Sequence, residues 1–191
     1  MTNSSISDAL ALRDTASDFD AQIGNLPVIG DPHRSPDSIA VARQIAELGK
    51  LLTYLGDEVL FRAAEPDQAV HTTRVITSFA AAVRPAAEAA AALGEVAHQL
   101  SFLDQTEPLR DQPDTRDARE AAVRVIEDAL GTAEVALSEA ANSLHAASAT
   151  VSPPSVRLQA ARSRSTTTAT PGPLPPTSRM AAASDRITRS R

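Results

Sequence analysis

One short motif in this chain has the spacing of a metal-binding helix. Residues 95–98 read Glu-Val-Ala-His, and Glu-x-x-His places a carboxylate and an imidazole on one helix face, as in di-iron helical bundles. Such centres take two copies of the motif and two further glutamates, whereas this sequence holds one copy. Leu93 and Leu100 predict a core-facing stripe that leaves Glu95 and His98 in solvent. The motif therefore favours an exposed helix face over a metal site.

The remaining residue types favour neither an enzyme nor a cofactor. There is no cysteine, which excludes thiol nucleophiles and cysteine-ligated zinc. His71 and His145 fall off the predicted apolar stripes, His33 falls in a predicted loop, and no two histidines are four residues apart. The seven glycines form no phosphate-binding loop. We expect a protein without catalytic residues, bound metal or cofactor.

Composition points to helices. The chain has 191 residues, of which 37 are alanine, only 3% are aromatic and 7 are glycine, which is typical of neither a β-sandwich nor a barrel. Basic residues are 17 arginines against one lysine, a bias that a GC-rich bacterial genome would produce. We therefore draw nothing specific from arginine in place of lysine.

Three long stretches open on a Pro-Asp dipeptide, at residues 36, 66 and 113, and then repeat apolar residues every three to four positions. This spacing predicts helices over 36–64, 67–103 and 113–149, with Ser35 as the N-cap of the first. A shorter helix is predicted over 6–23. The predicted stripes are Ile6, Leu10, Leu12, Ala16, Phe19 and Ile23; Val41, Ile45, Leu48, Leu52, Leu55 and Val59; Ile76, Phe79, Val83, Ala86, Ala90, Leu93, Ala97 and Leu100; and Val123, Ile126, Leu130, Ala133, Leu137, Ala140, Leu144 and Ala147.

Two helix-breaking residue types lie inside these stretches. Pro85 predicts a kink rather than an end, because the stripe keeps its phase across it. Gly49 and Gly56 lower helix propensity and would allow a neighbouring backbone to approach closely. The short connection between the last two helices predicts an antiparallel hairpin.

The predicted fold is all-α: an antiparallel helical bundle of three long helices plus one short N-terminal helix, with a disordered C-terminal tail. The predicted organisation is a short helix and loop over 1–35, a helical bundle over 36–150 and a basic tail over 151–191. The tail is rich in proline, serine and threonine, a composition that builds no core.

Charge divides the chain at the same place. Residues 1–150 hold 11 basic and 23 acidic residues, a net −12, whereas residues 151–191 hold seven arginines and one acid, a net +6. Acidic clusters in the first part suit either helix N-termini, which we favour, or a docking face for a basic partner or the tail. The candidate interaction residues of the tail are Arg157, Arg162, Arg164, Arg179, Arg186, Arg189 and Arg191.

Long helices with apolar stripes and no converging polar groups favour a non-enzymatic protein-interaction module: a scaffold, an adaptor or a small oligomeric regulator that binds a protein partner or itself as a homodimer. The alternative is a nucleic-acid-associated accessory protein that binds through the arginine-rich tail, although no aromatic residue lies among those arginines to stack on bases. An exported helical hairpin ranks lower, because the chain has no Trp-x-Gly turn. Without a signal-peptide pattern at residues 1–20 or a membrane-spanning run, we expect a cytoplasmic protein.

Overall fold

A computed structural model describes residues 2–64 and 70–152, which form four α-helices and no strand. The predicted all-α antiparallel bundle is confirmed. A single 3-10 turn at Glu107–Leu109 lies between the last two helices. The helices are α1 (Thr2–Gly24), α2 (Ser38–Ala63), α3 (Val70–Thr106) and α4 (Pro113–Val151). The predicted disordered tail lies outside the described residues from residue 153 onward.

The start of α2 differs from the prediction. Asp37, not Ser35, is the N-cap: its backbone is extended, and its Oδ1 accepts hydrogen bonds from the backbone N–H of Ile39 at 2.9 Å and of Ala40 at 2.8 Å. A cap must reach the free N–H groups of the first turn, and Asp37 directly precedes that turn. Pro36 therefore lies before the helix rather than in its first position.

The turn between α3 and α4 is held by one arginine. Arg119 of α4 donates from Nη1 to the carbonyl oxygen of Leu103 at 2.5 Å and to Oγ1 of Thr106 at 3.0 Å. Its Nη2 lies 2.7 Å from Oε2 of Glu107. The guanidinium thus satisfies groups at the carboxyl end of α3, where backbone carbonyls lack partners in the helix.

The third helix runs without interruption through Pro85, which is buried, so the prediction that the helix continues is confirmed. It packs against both α2 and α4, and this widens its buried face. Val75, Ala82, Ala89 and Val96 are fully buried, whereas the predicted stripe residues one position later are half-buried. The sequence predicts a single apolar stripe on α3, whereas a helix that packs against two neighbours buries a wider face with two rows of residues.

The N-terminal helix belongs to the same hydrophobic core as the other three. Leu12, Ala16 and Phe19 have no exposed surface, and the helix packs along α4. The hydroxyl of Ser148 donates to the carbonyl oxygen of Ala9 at 2.7 Å. This hydrogen bond holds α1 against α4.

Three predicted core residues are exposed. Ile6 and Leu10 lie on α1 beside, not within, the row that α4 covers, because that row runs through Ala9, Leu12 and Ala16. Val123 lies near the start of α4, before the segment that α1 covers, and is also exposed. The predicted stripes were correct in period but included positions that no neighbouring described helix covers.

Polar contacts join α2 to its neighbours at both ends. The Gln44 side chain donates to the carbonyl oxygen of Gln22 at 2.9 Å near the start of α2. Near its end, the largely buried Arg62 pairs with Glu58 and approaches Asp8 of α1 at 3.4 Å. The same guanidinium lies 4.9 Å from the ring centre of Phe79 on α3. Arg62 therefore connects three helices: its own α2 and the neighbouring α1 and α3.

None of the described helices is both long and apolar enough to cross a bilayer.

Candidate interaction surface

The solvent-facing side of α2 carries a second row of uncharged residues. The inner face packs on α3 through Val41, Leu48 and Leu55, so the opposite face has no partner helix among the described residues. Seven exposed positions there repeat at alternating intervals of three and four, the spacing of a helix–helix contact. We call this row the outer stripe: Ile39, Ala42, Ala46, Gly49, Thr53, Gly56 and Leu60.

Large apolar side chains lie at both ends of the outer stripe. Ile39 is 72% exposed, and Leu60 and its neighbour Phe61 are each 69% exposed. A single exposed leucine on a protein surface is ordinary. Here the exposed residues lie at the two ends of a row that carries no charge, which makes this row a candidate interaction surface.

The residues in the middle of the outer stripe have small side chains or none. A Cβ atom built on Gly49 or Gly56 would meet nothing within 4 Å. No neighbouring backbone therefore approaches these glycines within the described part of the chain, and close approach at them stays a prediction. Each still lowers helix stability by about 1 kcal/mol relative to alanine. The open space beside these glycines would let a helix of another chain approach the backbone of α2 closely.

The two edges of the outer stripe differ in charge. One edge carries Arg43, Lys50 and Asp57 at seven-residue intervals. Lys50 forms an ion pair with Glu47 at 2.7 Å, whereas Arg43 and Asp57 form none with any described residue. The other edge is apolar, with half-buried residues against α3: Ile45, Leu52 and Val59.

The structure gives no position for the tail residues that the sequence singled out. All seven tail arginines lie outside the described residues. Glu95 and His98 are exposed, as predicted, and Oε1 of Glu95 accepts a hydrogen bond from the Gln99 side chain at 2.6 Å. Within residues 2–64 and 70–152, no three His, Asp or Glu side chains are grouped to hold a metal ion. The His71 side chain is outside the described set.

His145 has a partner that the sequence did not suggest. Its Nε2 lies 2.8 Å from Oδ2 of Asp20 on α1, and the side chain is about half-exposed. Helix spacing places His145 off the apolar stripe of α4 but says nothing about which neighbouring helix it faces. A contact between residues 125 positions apart follows from the packing of α1 on α4 and has no local signal.

Two surface grooves elsewhere are lined by charged side chains. A groove of about 490 Å³ near the α3–α4 turn is lined by four arginines, but two of them, Arg110 and Arg119, are paired with Glu107. Glu120 and Glu127 also lie on its wall. A second groove, on α4 around Gly131, is lined by acidic residues. Neither arrangement brings a nucleophile, a base and an orienting group together.

No family model matches the chain, and no curated protein or solved structure matches it at a significant level. The seven positions of the outer stripe are exposed, and among the described residues no helix packs on them. The outer stripe was readable from the sequence, since its spacing is that of any helix stripe. The sequence pointed to Gly49 and Gly56 but not to the whole row, because the larger residues of the inner face of α2, Val41, Leu48 and Leu55, dominate the pattern.

Proposed function

We propose that this chain is a non-enzymatic helical protein-interaction module, a scaffold, adaptor or small oligomeric regulator of the cytoplasm, that binds another helix along the outer stripe of α2. The observation that supports this is the row itself: seven exposed positions without a charge, with Ile39 and Leu60 at its ends. An amphipathic helix whose uncharged outer row has no partner among the described residues suits a helix from another chain.

The energetics of such a contact favour association. Burying one exposed isoleucine or leucine side chain contributes about 1.5–3 kcal/mol. Ile39, Leu60 and Phe61 supply large apolar side chains near the two ends of the outer stripe. Ala46 and Gly49, at its centre, project little from the helix. Small residues at the centre let two helix axes approach, which increases the number of backbone and side-chain contacts.

The proposal is tested by placing a charge on the outer stripe. Ala46→Arg puts a guanidinium at the centre of the row, and Ala121→Arg on α4 is the matched control, because both alanines are exposed helix residues. Proximity labelling in living cells would use the full chain in each form. We expect a set of neighbouring proteins, which includes the chain itself if it self-associates, to be enriched by the wild type and the control and lost with Ala46→Arg.

Circular dichroism would check that both variants keep the helical content and melting temperature of the wild type within a few degrees. The proposal fails if Ala46→Arg, correctly folded, enriches the same neighbours as the wild type. It fails equally if the control loses them too, because the effect would then follow from added charge rather than from its place.

A second candidate function rests on the charge division of the chain. The net +6 of residues 151–191, against −12 for residues 1–150, suits phosphate contacts by the tail. We expect the full chain to retard a nucleic acid in a gel shift at low salt, and a form with all seven tail arginines changed to glutamine to lose this effect. Equal behaviour of the two forms would exclude the tail as a nucleic-acid-binding segment.

A further inference from the structure

We propose that the helix bound by the outer stripe of α2 is the α2 of a second copy of this chain, packed antiparallel about a twofold axis near Lys50. This inference rests on the proposed function, which assigns the outer stripe to helix binding. It adds the identity of the partner, the direction of its chain and the register of the contact.

The order of sizes along the outer stripe is symmetric about its middle. Ile39 lies at one end, Leu60 and Phe61 at the other, and small residues fill the interval. In an antiparallel pair centred on Lys50, Ile39 of one copy packs against Leu60 and Phe61 of the other. Ala46 meets Thr53, and Gly49 lies close to the axis. Large residues therefore meet large residues at both ends, and the small centre allows close approach.

The charged edge fits the same arrangement. In an antiparallel helix pair the like edges of the two helices are neighbours, so Arg43 of each copy faces Asp57 of the other. Both residues lack an ion-pair partner among the described residues, and the dimer gives each one a partner. Because of the twofold symmetry the pair forms twice.

A parallel pair would not match these charges. The charged edge of each helix would then lie beside the apolar edge of the other, where Ile45 and Leu52 offer no carboxylate. The antiparallel pair has one like-charge contact, between the two Lys50 side chains near the axis. Glu47, which lies 2.7 Å from Lys50 in each copy, offsets that repulsion.

The absence of cysteine from the sequence allows a direct test of register and direction. Single cysteines would be introduced into the full chain and joined with a short bis-maleimide. We expect Lys50→Cys to give a covalent dimer by itself, because the two copies of residue 50 lie at the axis. Ile39→Cys by itself should give none, since 22 residues along the helix, about 33 Å, separate the two copies of residue 39.

A mixture completes this test. Ile39→Cys and Leu60→Cys proteins, each unable to cross-link alone, should form a covalent heterodimer when combined. Cross-linking of Ile39→Cys with itself would show a parallel pair and overturn the proposal.

Charge reversal gives an independent test. Arg43→Asp places two acids opposite each other, and Asp57→Arg places two bases opposite each other, so each single change should weaken dimerisation about tenfold or more. The double variant restores both ion pairs with reversed sign and should recover most of the affinity. Size-exclusion chromatography with light scattering over a dilution series would measure this, the dimer having twice the 20.0 kDa mass of the chain.

The outcomes separate this inference from the proposed function. A wild-type chain that remains a monomer up to high micromolar concentration overturns the dimer, while the Ala46→Arg labelling result still decides whether the outer stripe binds another protein. A dimer that survives Ala46→Arg and both single charge reversals lies on another face, and this also overturns the inference. A double variant no better than the single ones refutes the antiparallel register.

Discussion

Single residues set the ends of these helices and connect them. The carboxylate of Asp37 caps α2 by accepting two backbone hydrogen bonds, although Ser35, directly before Pro36, looks equally suited in the sequence. Two chemically adequate capping residues lie two positions apart, and only the path of the loop decides which one reaches the first turn. This is why sequence spacing located the helix but not its first residue.

We expect Asp37→Ala to lower the free energy of unfolding by about 1 kcal/mol, because two N–H groups of the first turn lose their acceptor. Ser35→Ala is the control and should leave stability unchanged within a few tenths of a kcal/mol. Urea unfolding followed by circular dichroism measures both. A larger loss for the serine variant would return the cap to Ser35.

The burial of a charged residue has a second consequence at this scale. The Arg62 side chain is only 11% exposed and contacts Glu58, Asp8 and the ring of Phe79, whereas Arg84, paired with Glu139, is 77% exposed. We expect Arg62→Ala to lower stability by about 2–3 kcal/mol, since it removes the ion-pair partner of the Glu58 carboxylate in a partly buried site and the contacts of the guanidinium with Asp8 and Phe79.

Arg84→Ala provides the comparison, since it removes the same atoms from an exposed ion pair. Such pairs contribute at most about 1 kcal/mol. The two variants would be compared by chemical denaturation in one buffer. Similar losses for both would mean that Arg62 is not buried among its three helices.

At the scale of whole helices, the sequence predicted most of the architecture. The period of the apolar residues located all four helices, and the bundle follows from their amphipathicity. What the period could not supply was the partner of each face. Val123 and Leu10 fit their stripes and are nevertheless exposed, because the neighbouring helix lies elsewhere. The Asp20–His145 contact was missed for the same reason.

The N-terminal helix is the element for which this difference matters most. Phe19 has no exposed surface and belongs to the common core, so Phe19→Ala should lower stability by about 3–5 kcal/mol. Leu10→Ala, on the same helix but about half-exposed, should lower it by less than about 1 kcal/mol. Thermal or urea unfolding would distinguish the two, and equal effects would show that α1 does not pack as described.

The glycines of α2 connect element stability to association. Gly49 and Gly94 are both exposed helix residues at which an added Cβ meets nothing within 4 Å. Alanine at either position should raise the stability of the monomeric fold by about 1 kcal/mol. Only Gly49→Ala should also weaken dimerisation, as measured by light scattering, because only Gly49 lies in the outer stripe. Equal dimer affinities would remove close approach at Gly49 from the proposal.

For the whole molecule, the central question is whether the bundle is complete as one chain. The four described helices share one core, yet α2 has a second uncharged row that faces solvent. Two such rows are typical of a helix that packs against a partner on each side. The sequence suggested self-association from the length of the helices together with their apolar stripes. The structure narrows the candidate surface to the outer stripe of α2, on which no helix packs among the described residues.

Dimerisation through that row would couple folding to concentration. We expect the melting temperature of the wild-type chain to rise by several degrees as its concentration increases a hundredfold, because a partner that binds only folded α2 stabilises it by mass action. The melting temperature of Ala46→Arg should not depend on concentration. Differential scanning calorimetry at two concentrations decides this, and a constant wild-type melting temperature would argue against a folded dimer.

The pairing of α1 with α4 has a consequence for how the protein is made. Of the four described helices α1 is translated first, yet α4, which covers Leu12, Ala16 and Phe19, is translated last. Ribosomes add about 5–20 residues per second, so roughly 6–25 s pass between the completion of Gly24 and that of Val151. Throughout that interval the apolar face of α1 lacks its main native partner, and the nascent chain is open to chaperones, to proteases and to neighbouring chains on the same message.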